Sequence, residues 1–390
     1  MSNTITTIPI YAPNWDSNLT TTIIELEKLR IKKLGGPVPP YIFFQIKTIF
    51  HILESIGSAR IEGNHTTLSE FVEKIITKET TNKDESLQEI NHINTAIRFI
   101  EENVDKNTKI NRAFISQIHS ILVKDLSLPP YGEGSRNPGQ LRSINVVIQN
   151  SEHTPPNALH VPEYLDELIT FINDKYSAQY HLLVMAIAHH RLAWLHPFDN
   201  GNGRLVRMIT YALLIQQGFQ VKSGRILNPT AIFCMDRNEY YDKLALADKG
   251  DREGVLSWCE YVLNGLQQEI QKIDKLLDLQ YIVDIILRPV LSYGLDQKYI
   301  TKLEYAILSA LVKKPDMTIK AGDLADIIGE NNVYQRTRII KKLKDKNMLI
   351  PIKGHSQIYT LGFTENFLIR GVIKVLEQQD FIPSFLNNNS

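Results

Sequence analysis

A twelve-residue stretch from His196 to Arg207, HPFDNGNGRLVR, contains the residue types that chemistry on a polyphosphate requires. Its glycines at 201 and 203 allow a tight turn and leave backbone N–H groups free to face an anion. The apolar residues that follow predict a helix, whose first turn aims more N–H donors and the positive dipole end at that anion. Arg204 and Arg207 are three apart, so they share a helix face and can both bind phosphate oxygens. His196 can accept a proton near neutral pH.

A glycine-containing loop before a basic helix is the structural alternative, but the whole constellation favours chemistry. It resembles the signature of the Fic (filamentation induced by cyclic AMP) family, H-x-F-x-(D/E)-G-N-G-R-x-x-R, at every defined position except 200. The resemblance implies that His196 deprotonates a target hydroxyl, which attacks a nucleotide phosphate; most members transfer AMP from ATP to a protein side chain. It also implies nucleotide or phosphate contacts from Asn200, Gly201, Asn202, Gly203, Arg204, Leu205, Val206 and Arg207.

The exception, Asn200, stands where the family has an acid that binds a divalent metal. An amide oxygen is a weaker, neutral ligand for Mg²⁺. Asp199 is the adjacent carboxylate, but its side chain should point elsewhere. Mg²⁺ binding at Asn200 is therefore the open part of the prediction, whereas the residues for proton transfer and phosphate binding are intact.

A second motif, at residues 58–63, ends an amphipathic helix predicted from the apolar spacing over 46–56. Ser58 and Glu62 are neighbours on the helix surface, and Gly63 is placed to end the helix. Read alone, this is a helix C-terminus with a solvated glutamate. Beside the signature it resembles the Fic inhibitory motif, (S/T)-x-x-x-E-(G/N). The resemblance implies that Glu62 pairs with Arg207 and blocks the place of the ATP γ-phosphate.

Two further segments carry binding predictions. The run Leu141–Ile148 is the clearest strand-like stretch in the first 200 residues, and a small structural hairpin is its plain interpretation. By resemblance it is the Fic flap, on which Val146, Val147 and Ile148 would align a target segment as an added strand. The resemblance also places Tyr240, Tyr241 and Asp248 beside the nucleotide base or ribose, where aromatic rings can stack on adenine.

Composition sets broad limits on the class of protein. The 390 residues suffice for two or three domains with a large core, and 43% hydrophobic and 22% charged residues are ordinary for a globular protein. Basic and acidic residues balance at 43 each, so net charge does not point to a polyanionic partner. Two cysteines without a framework spacing fit a reducing compartment. We see no secretory signal and no apolar run that could span a membrane, so we expect a cytoplasmic protein without membrane partners.

The C-terminal part has a different pattern. Helical spacing at 303–311, 321–328 and 333–346 is followed by short strands at 348–352 and 357–361, which resembles a winged helix-turn-helix. Between residues 313 and 353 there are ten basic and five acidic residues. The segment 301–365 is therefore a candidate for DNA contact, with protein docking or homodimer formation as the alternative.

The fold class that follows is mainly α: a Fic-type helical core with a small β-hairpin flap, followed by a winged helix-turn-helix domain. The predicted divisions are a helical region with the inhibitory helix (1–105), the catalytic core (106–275), a helical linker (276–300), the winged helix (301–365), and a helix with a polar tail (366–390). The predicted function is autoinhibited protein adenylyltransfer from ATP to a Ser, Thr or Tyr hydroxyl. The alternatives are transfer or removal of another phosphate-containing group, and a DNA-binding regulator with a nucleotide-sensing core.

Overall fold

The computed structural model describes residues 8–31, 38–77, 84–148, 153–219, 226–329, 332–383 and 386. Within these ranges the chain is mainly helical and forms two compact units. The first unit comprises residues 1–33, 54–65 and 81–271, and the second comprises 34–53, 66–80 and 272–390. The segment with the predicted inhibitory motif therefore belongs to the same unit as the signature. The domain limits predicted from the sequence stay predictions.

The helices begin where the local sequence supplies capping groups. Asp84, Asn111 and Asp236 each directly precede a helix and accept a hydrogen bond from the backbone N–H three residues further on. In chain order the helices are α1 (Asn18–Ile31), α2 (Pro40–Ile61), α3 (Leu68–Thr77), α4 (Glu85–Asn103), α5 (Arg112–Leu122), α6 (Val161–Asn173), α7 (His181–Leu195), α8 (Asn202–Gln216), α9 (Thr230–Met235), α10 (Arg237–Ala247), α11 (Arg252–Asp274), α12 (Leu279–Tyr281), α13 (Arg288–Asp296), α14 (Lys302–Val312), α15 (Ala325–Ile328), α16 (Val333–Asp345) and α17 (Leu368–Gln378).

The signature joins the two most buried helices of the first unit. In α7 every residue from Leu182 to His190 is buried, and in α8 the same holds from Arg204 to Ile215. A helix that is buried on all sides belongs in the centre of a core. Because α7 and α8 pack against each other, the loop between them is held at both ends by the core. None of the helices in the described ranges is long and apolar enough to cross a bilayer.

The second unit contains one small antiparallel sheet. Its strands are β1 (Thr318–Ile319), β2 (Leu349–Ile352) and β3 (His355–Leu361), with β3 in the middle. The predicted strands at 348–352 and 357–361 are confirmed as β2 and β3, whereas β1 was not predicted.

The helix predicted over 321–328 is divided into a 3₁₀ turn, Ala321–Leu324, and the short α15. Asp323 accepts hydrogen bonds from the Lys320 backbone and from the Lys314 ammonium, which favours the tight turn. Gly329, with φ 105°, follows the last residue of α15.

The β-hairpin predicted for the flap is wrong, because residues 141–148 form no strand. The Arg142 backbone N–H donates to the Pro197 carbonyl at 3.0 Å, and the Asn145 side chain accepts from the Ala158 N–H at 2.9 Å. These two hydrogen bonds tie the segment to neighbouring loops and not to a partner strand. The sequence also predicts a polar, proline-containing turn over residues 150–156 and a polar loop at 80–84. Of these, residues 150–152 and 80–83 lie outside the described residues.

Candidate active site

The signature folds as a sharp loop because three residues bend and brace it. His196 ends α7 with a left-handed backbone, φ 47°, and Gly201 precedes α8 with φ 73°. The buried Asn202 side chain accepts from the Phe198 N–H at 3.0 Å and donates to the Phe198 carbonyl at 2.9 Å. The side chain of Asn202 therefore braces the loop from within, and only its backbone N–H is placed at the start of α8.

His119 on α5 packs against the loop, and the sequence did not predict this role for it. Its ring stacks on Phe198 with centroids 3.8 Å apart. Its Nδ1 accepts from the Gly139 N–H at 2.8 Å, so its Nε2 donates to the Asn200 carbonyl at 3.0 Å. Burial lowers the pKa of His119 to about 4, which keeps this neutral tautomer in place. No sequence signal distinguishes it from other polar residues on an amphipathic helix.

His196 is arranged as a neutral base. Burial lowers its pKa to about 4, against a smaller raising effect of a hydrogen bond to the Ala193 backbone and of the Glu62 charge. The ring therefore keeps one nitrogen without a proton at neutral pH. Arg142 holds the backbone of the same residue, donating from Nε to the His196 carbonyl at 2.8 Å.

The N-terminus of α8 offers backbone donors to an anion. The Leu205 N–H is already bonded to the Gly201 carbonyl at 3.0 Å, and the side chains of Leu205 and Val206 are buried in the core. The N–H groups that precede it, at Asn202, Gly203 and Arg204, are the ones without a partner in the preceding turn of the same helix. Of the predicted phosphate-binding residues, Leu205 and Val206 thus contribute packing at this place.

Arg207 lies in a buried pocket with residues from the end of α2. Its guanidinium donates to the Ser58 Oγ at 2.8 Å, to the Ser58 carbonyl at 2.9 Å and to Glu62 Oε1 at 2.7 Å. Burial alone would raise the pKa of Glu62, but the charge and hydrogen bond of Arg207 outweigh it and lower the pKa. The predicted pair is therefore a charged one, and Gly63, with φ 101°, follows it as the turn residue.

The Glu62 carboxylate also lies directly on Gly203. A Cβ atom added to Gly203 would be 2.1 Å from Glu62 Oε1, far inside van der Waals contact. The Glu62 side chain keeps 25% exposure, whereas that of Arg207 keeps 1%. An anionic group from α2 thus occupies the place over the first turn of α8 where the sequence predicts phosphate.

Arg204 lies in a second pocket that the sequence analysis missed. Its fully buried guanidinium is 3.2 Å from Glu89 Oε1, 2.7 Å from the Glu133 carbonyl and 3.3 Å from Glu133 Oε2. Glu89 is in turn held by the Asn64 amide, which donates to its Oε2 at 2.8 Å. Burial raises the pKa of both Glu89 and Glu133, with Arg204 acting in the opposite direction. Arg204 thus has two acidic partners in place of the phosphate predicted for it.

The side chains of residues 199 and 200 form hydrogen bonds with the loop of residues 133–136. Asn200 donates from Nδ2 to the Gly134 carbonyl at 3.1 Å and to Glu133 Oε2 at 3.3 Å. Asp199 accepts from the Ser135 hydroxyl and from the Arg136 N–H. No group of three or more His, Cys, Asp or Glu side chains suited to a metal ion occurs in the part of the chain that the structure describes.

The residues predicted beside the nucleotide base lie on α10 and at its end. Tyr240 is buried, and its hydroxyl is 3.0 Å from His189 Nε2; Tyr241 is 43% exposed, with Arg237 over its ring at 5.6 Å. Asp248 is paired with His190 Nε2 at 2.8 Å and His153 Nδ1 at 3.1 Å. Burial would raise the Asp248 pKa, but these hydrogen bonds lower it to about 2.

Of the predicted docking residues, Val147 is 86% exposed and Val146 and Ile148 are half-buried. An exposed apolar side chain of this size is available for contact with another chain. The prediction that this segment docks a target stays untested, and the strand form expected for it is wrong.

Comparison with known proteins finds similarity to the family that the signature resembles. Residues 109–214 match the model of the Fic/DOC family. A protein adenylyltransferase Fic from Aedes aegypti is 29% identical over 208 residues, which are 52% of this chain and 38% of that protein. One from Nematostella vectensis is 28% identical over 206 residues, 50% of this chain and 42% of that protein. The chain thus spans about two-fifths of the length of these curated relatives.

Solved structures show the same fold. A Fic family protein from Desulfovibrio desulfuricans G20 superposes with a TM-score of 0.55 at 18% identity, covering 90% of this chain and 97% of that chain. Fic-1 (residues 134–508) from C. elegans gives a TM-score of 0.50 at 21% identity, covering 65% and 70%.

Proposed function

From the Fic/DOC domain at residues 109–214 as premise, we propose that this chain is a protein adenylyltransferase that moves AMP from ATP to a hydroxyl side chain of a target protein. The names of its relatives support the reaction class. The observation that carries the proposal is that His196, held neutral by burial, ends α7 at the loop whose other end is the first turn of α8, where backbone N–H groups have no partner within the helix. A base and an anion-binding helix terminus side by side are what attack on a nucleotide phosphate requires.

The proposed reaction is an in-line displacement at the α-phosphorus. His196 accepts the proton of the target hydroxyl, the oxygen forms a bond to the α-phosphorus, and the bond to the leaving pyrophosphate breaks. The N–H groups at the start of α8 offset the negative charge that develops. Gly203 permits this contact because a side chain there would fill the space. Tyr240, Tyr241 and Asp248 are proposed to lie along the nucleoside.

We propose that Glu62 inhibits this reaction. Its carboxylate satisfies the Arg207 guanidinium and covers Gly203, so a triphosphate could not reach either group while it is there. A carboxylate on a guanidinium imitates the phosphate oxygens that the guanidinium would otherwise bind. ATP would then settle productively only after the end of α2 releases Arg207.

Mg²⁺ is the cation that this reaction class implies, and it would neutralise charge on the triphosphate. Both carboxylate oxygens of Asp199 already accept hydrogen bonds, from residues 135 and 136, so this carboxylate is not the one proposed to bind the cation. The group that fits the cation is the Glu133 carboxylate, which is 39% exposed, and the Asn200 amide beside it donates to that carboxylate. Mg²⁺ commonly needs only one or two carboxylates in addition to substrate phosphates.

The test is incubation with ATP labelled at the α-phosphate, using native protein and a Glu62→Gly variant. We expect label on protein in the variant and little in the native chain, and mass spectrometry should show the mass of AMP on a Ser, Thr or Tyr. An adduct of another mass would favour a different phosphate-containing group. A release of AMP from modified protein, without transfer, would favour the reverse activity.

A second candidate function is DNA contact through a winged helix at 301–365. Basic side chains on α16 at Arg338, Lys341 and Lys344 are exposed. Lys342, which is also exposed, and Lys346, which follows the helix, bind the buried Glu304. Exposed basic residues on one helix suit phosphate contacts in a major groove. Salt-dependent binding of the full chain to duplex DNA, weakened by Arg338→Glu, would support it. Homodimer formation and a cytoplasmic location stay predictions.

A further inference from the structure

The place next to Asn200 holds a carboxylate that the signature does not supply. Glu133 comes from a loop more than sixty residues earlier in the chain, and its Oε2 is 3.3 Å from the Asn200 amide nitrogen. The same oxygen is 3.3 Å from Arg204, so the carboxylate lies between the two signature residues. With 39% exposure it also faces solvent, unlike Glu89 on the same guanidinium, which is 5% exposed.

Several contacts fix the loop that carries Glu133. Arg204 binds its carbonyl at 2.7 Å, and the Gly134 N–H donates to the Ser127 carbonyl at 2.7 Å. Gly134 packs so closely that a Cβ atom there would be 2.1 Å from the Leu126 carbonyl oxygen. Asp199 then fastens residues 135 and 136. The signature carboxylate at 199 is thus used to hold a loop that brings in a different carboxylate.

The exposure of Glu133 leaves its carboxylate accessible to a cation. Its side chain is 39% exposed, although its Oε2 is 3.3 Å from the Arg204 guanidinium. A divalent cation on the exposed side of the carboxylate would take the phosphates of a bound nucleotide as its further ligands.

We propose that Glu133 supplies the anionic ligand for the divalent cation that accompanies the nucleotide, replacing the acid absent at position 200. Asn200 and Asp199 act as positioning residues: Asn200 holds the carboxylate through its amide, and Asp199 holds the loop. The proposal rests on the proposed function for its nucleotide, but the cation site itself is defined by residues of this chain.

The test measures cation binding directly. Mn²⁺ is titrated into the full chain carrying Glu62→Gly, without nucleotide and with an ATP analogue that cannot be cleaved between the α- and β-phosphorus, and free Mn²⁺ is followed by electron paramagnetic resonance. We expect Glu133→Gln to weaken Mn²⁺ binding at least about ten-fold, since even indirect ligand partners change metal affinity by that order. Adding Asn200→Asp to Glu133→Gln should restore most of the loss, because a carboxylate then stands at the signature position.

The control is Glu89→Gln, which removes the same charge from Arg204 on its buried side, and should change Mn²⁺ binding less than about two-fold. Thermal melting of each variant verifies folding. The proposal is overturned if Glu133→Gln binds Mn²⁺ like its parent, if Glu89→Gln weakens binding equally, or if the parent binds no Mn²⁺ in either titration. Glu133-dependent Mn²⁺ binding without any AMP transfer would count against the proposed function and would leave the cation site standing.

Discussion

The two arginines of the signature lie three residues apart on one helix, yet their pockets differ in kind. Arg207 is bound by Ser58 and Glu62 at the end of α2, and the Glu62 carboxylate remains 25% exposed. Arg204 is bound by Glu89, which is 5% exposed, and by the Glu133 main chain. The first pocket depends on one partly exposed side chain that can leave for solvent. The second also includes the 39% exposed Glu133 carboxylate, but it depends mainly on the buried Glu89 and on the Glu133 main chain, which cannot leave for solvent.

This difference assigns different roles to residues with the same charge. A nucleotide could displace Glu62 from Arg207 at the cost of one charged contact, because the freed carboxylate can be hydrated. Displacing Glu89 from Arg204 would leave an unpaired carboxylate inside the core, which is far more costly. We therefore infer that Arg207 is the arginine that exchanges between carboxylate and phosphate, while Arg204 holds α8 to its surroundings.

The largest expected effect concerns His196, the proposed base beside both pockets. In a Glu62→Gly background, His196→Ala should reduce AMP transfer by about 10²–10⁴-fold, the usual contribution of a positioned general base. ATP binding, measured by calorimetry, should stay within a few-fold because the base acts on the target hydroxyl. A variant that retains most of the transfer would remove His196 from its assigned role.

The next effect separates the pockets by stability. Arg204→Ala should cost about 3–5 kcal/mol in the free energy of unfolding, because it leaves the buried Glu89 without its charge partner. Arg207→Ala should cost less, since the partly exposed Glu62 can turn to water. Denaturant unfolding followed by circular dichroism measures both. Equal losses would mean that the two pockets are alike and that the distinction drawn from exposure is wrong.

How far the sequence predicts each pocket follows from the range of its contacts. The Arg207 pocket was predictable because both of its sides are compact motifs, at 58–63 and 196–207, whose pairing the resemblance to the Fic family implies. Read alone, residues 58–63 indicate only a helix end with a solvated glutamate. The Arg204 pocket was not, since Glu89 and Glu133 stand in no pattern and meet the signature only through the packing of α4 and a loop. His119 was not predicted for the same reason. Its ring stacks on Phe198, which is a tertiary contact that no pattern in the α5 sequence indicates.

The secondary structure shows the same limit. The buried helices α7 and α8 follow from long apolar runs, and the N-caps at Asp84 and Asp236 follow from local chemistry. The strand expected over 141–148 failed because a β-branched run indicates an extended preference and does not provide a partner strand. Arg142 and Asn145 found hydrogen bonds in adjacent loops instead.

A third effect opens the displaceable pocket. Glu62→Gly should raise AMP transfer about ten- to hundred-fold over native protein, since one charge-assisted hydrogen bond is worth about 1.5–3 kcal/mol and 1.4 kcal/mol is a factor of ten. Labelled ATP measures it. Glu89→Gln, on the other arginine, should give no gain. A gain from both variants would show that charge near the signature inhibits, whichever arginine it is on.

A smaller effect probes the rest of the Arg207 pocket. Ser58→Ala removes the hydroxyl that accepts from Arg207 Nε at 2.8 Å but leaves the Ser58 carbonyl and Glu62. A net loss of about 0.5–1.5 kcal/mol should raise transfer by about two- to ten-fold. The same labelling assay applies. A gain as large as that of Glu62→Gly would move the inhibitory role from the carboxylate to the helix end as a whole.

The smallest expected effect is a change in the pKa of His196. Removing the Glu62 charge should cause it, and removing the Glu89 charge should not. The pKa of His196 is lowered to about 4, chiefly by burial, and the Glu62 charge acts against this by favouring the protonated ring. Removing that charge in Glu62→Gly should lower the pKa further, whereas Glu89→Gln, on the far arginine, should leave it unchanged.

Because the neutral ring is the base, transfer by Glu62→Gly should stay level from pH 8 down to about pH 5 and should show no acid limb near 6.5. Histidine resonances followed by NMR over pH 4–8 in the three proteins measure the titration directly. A His196 titrating near 6.5 would contradict the burial of its ring, and an equal shift in both variants would show that the two carboxylates reach the base alike, against the division between the two pockets.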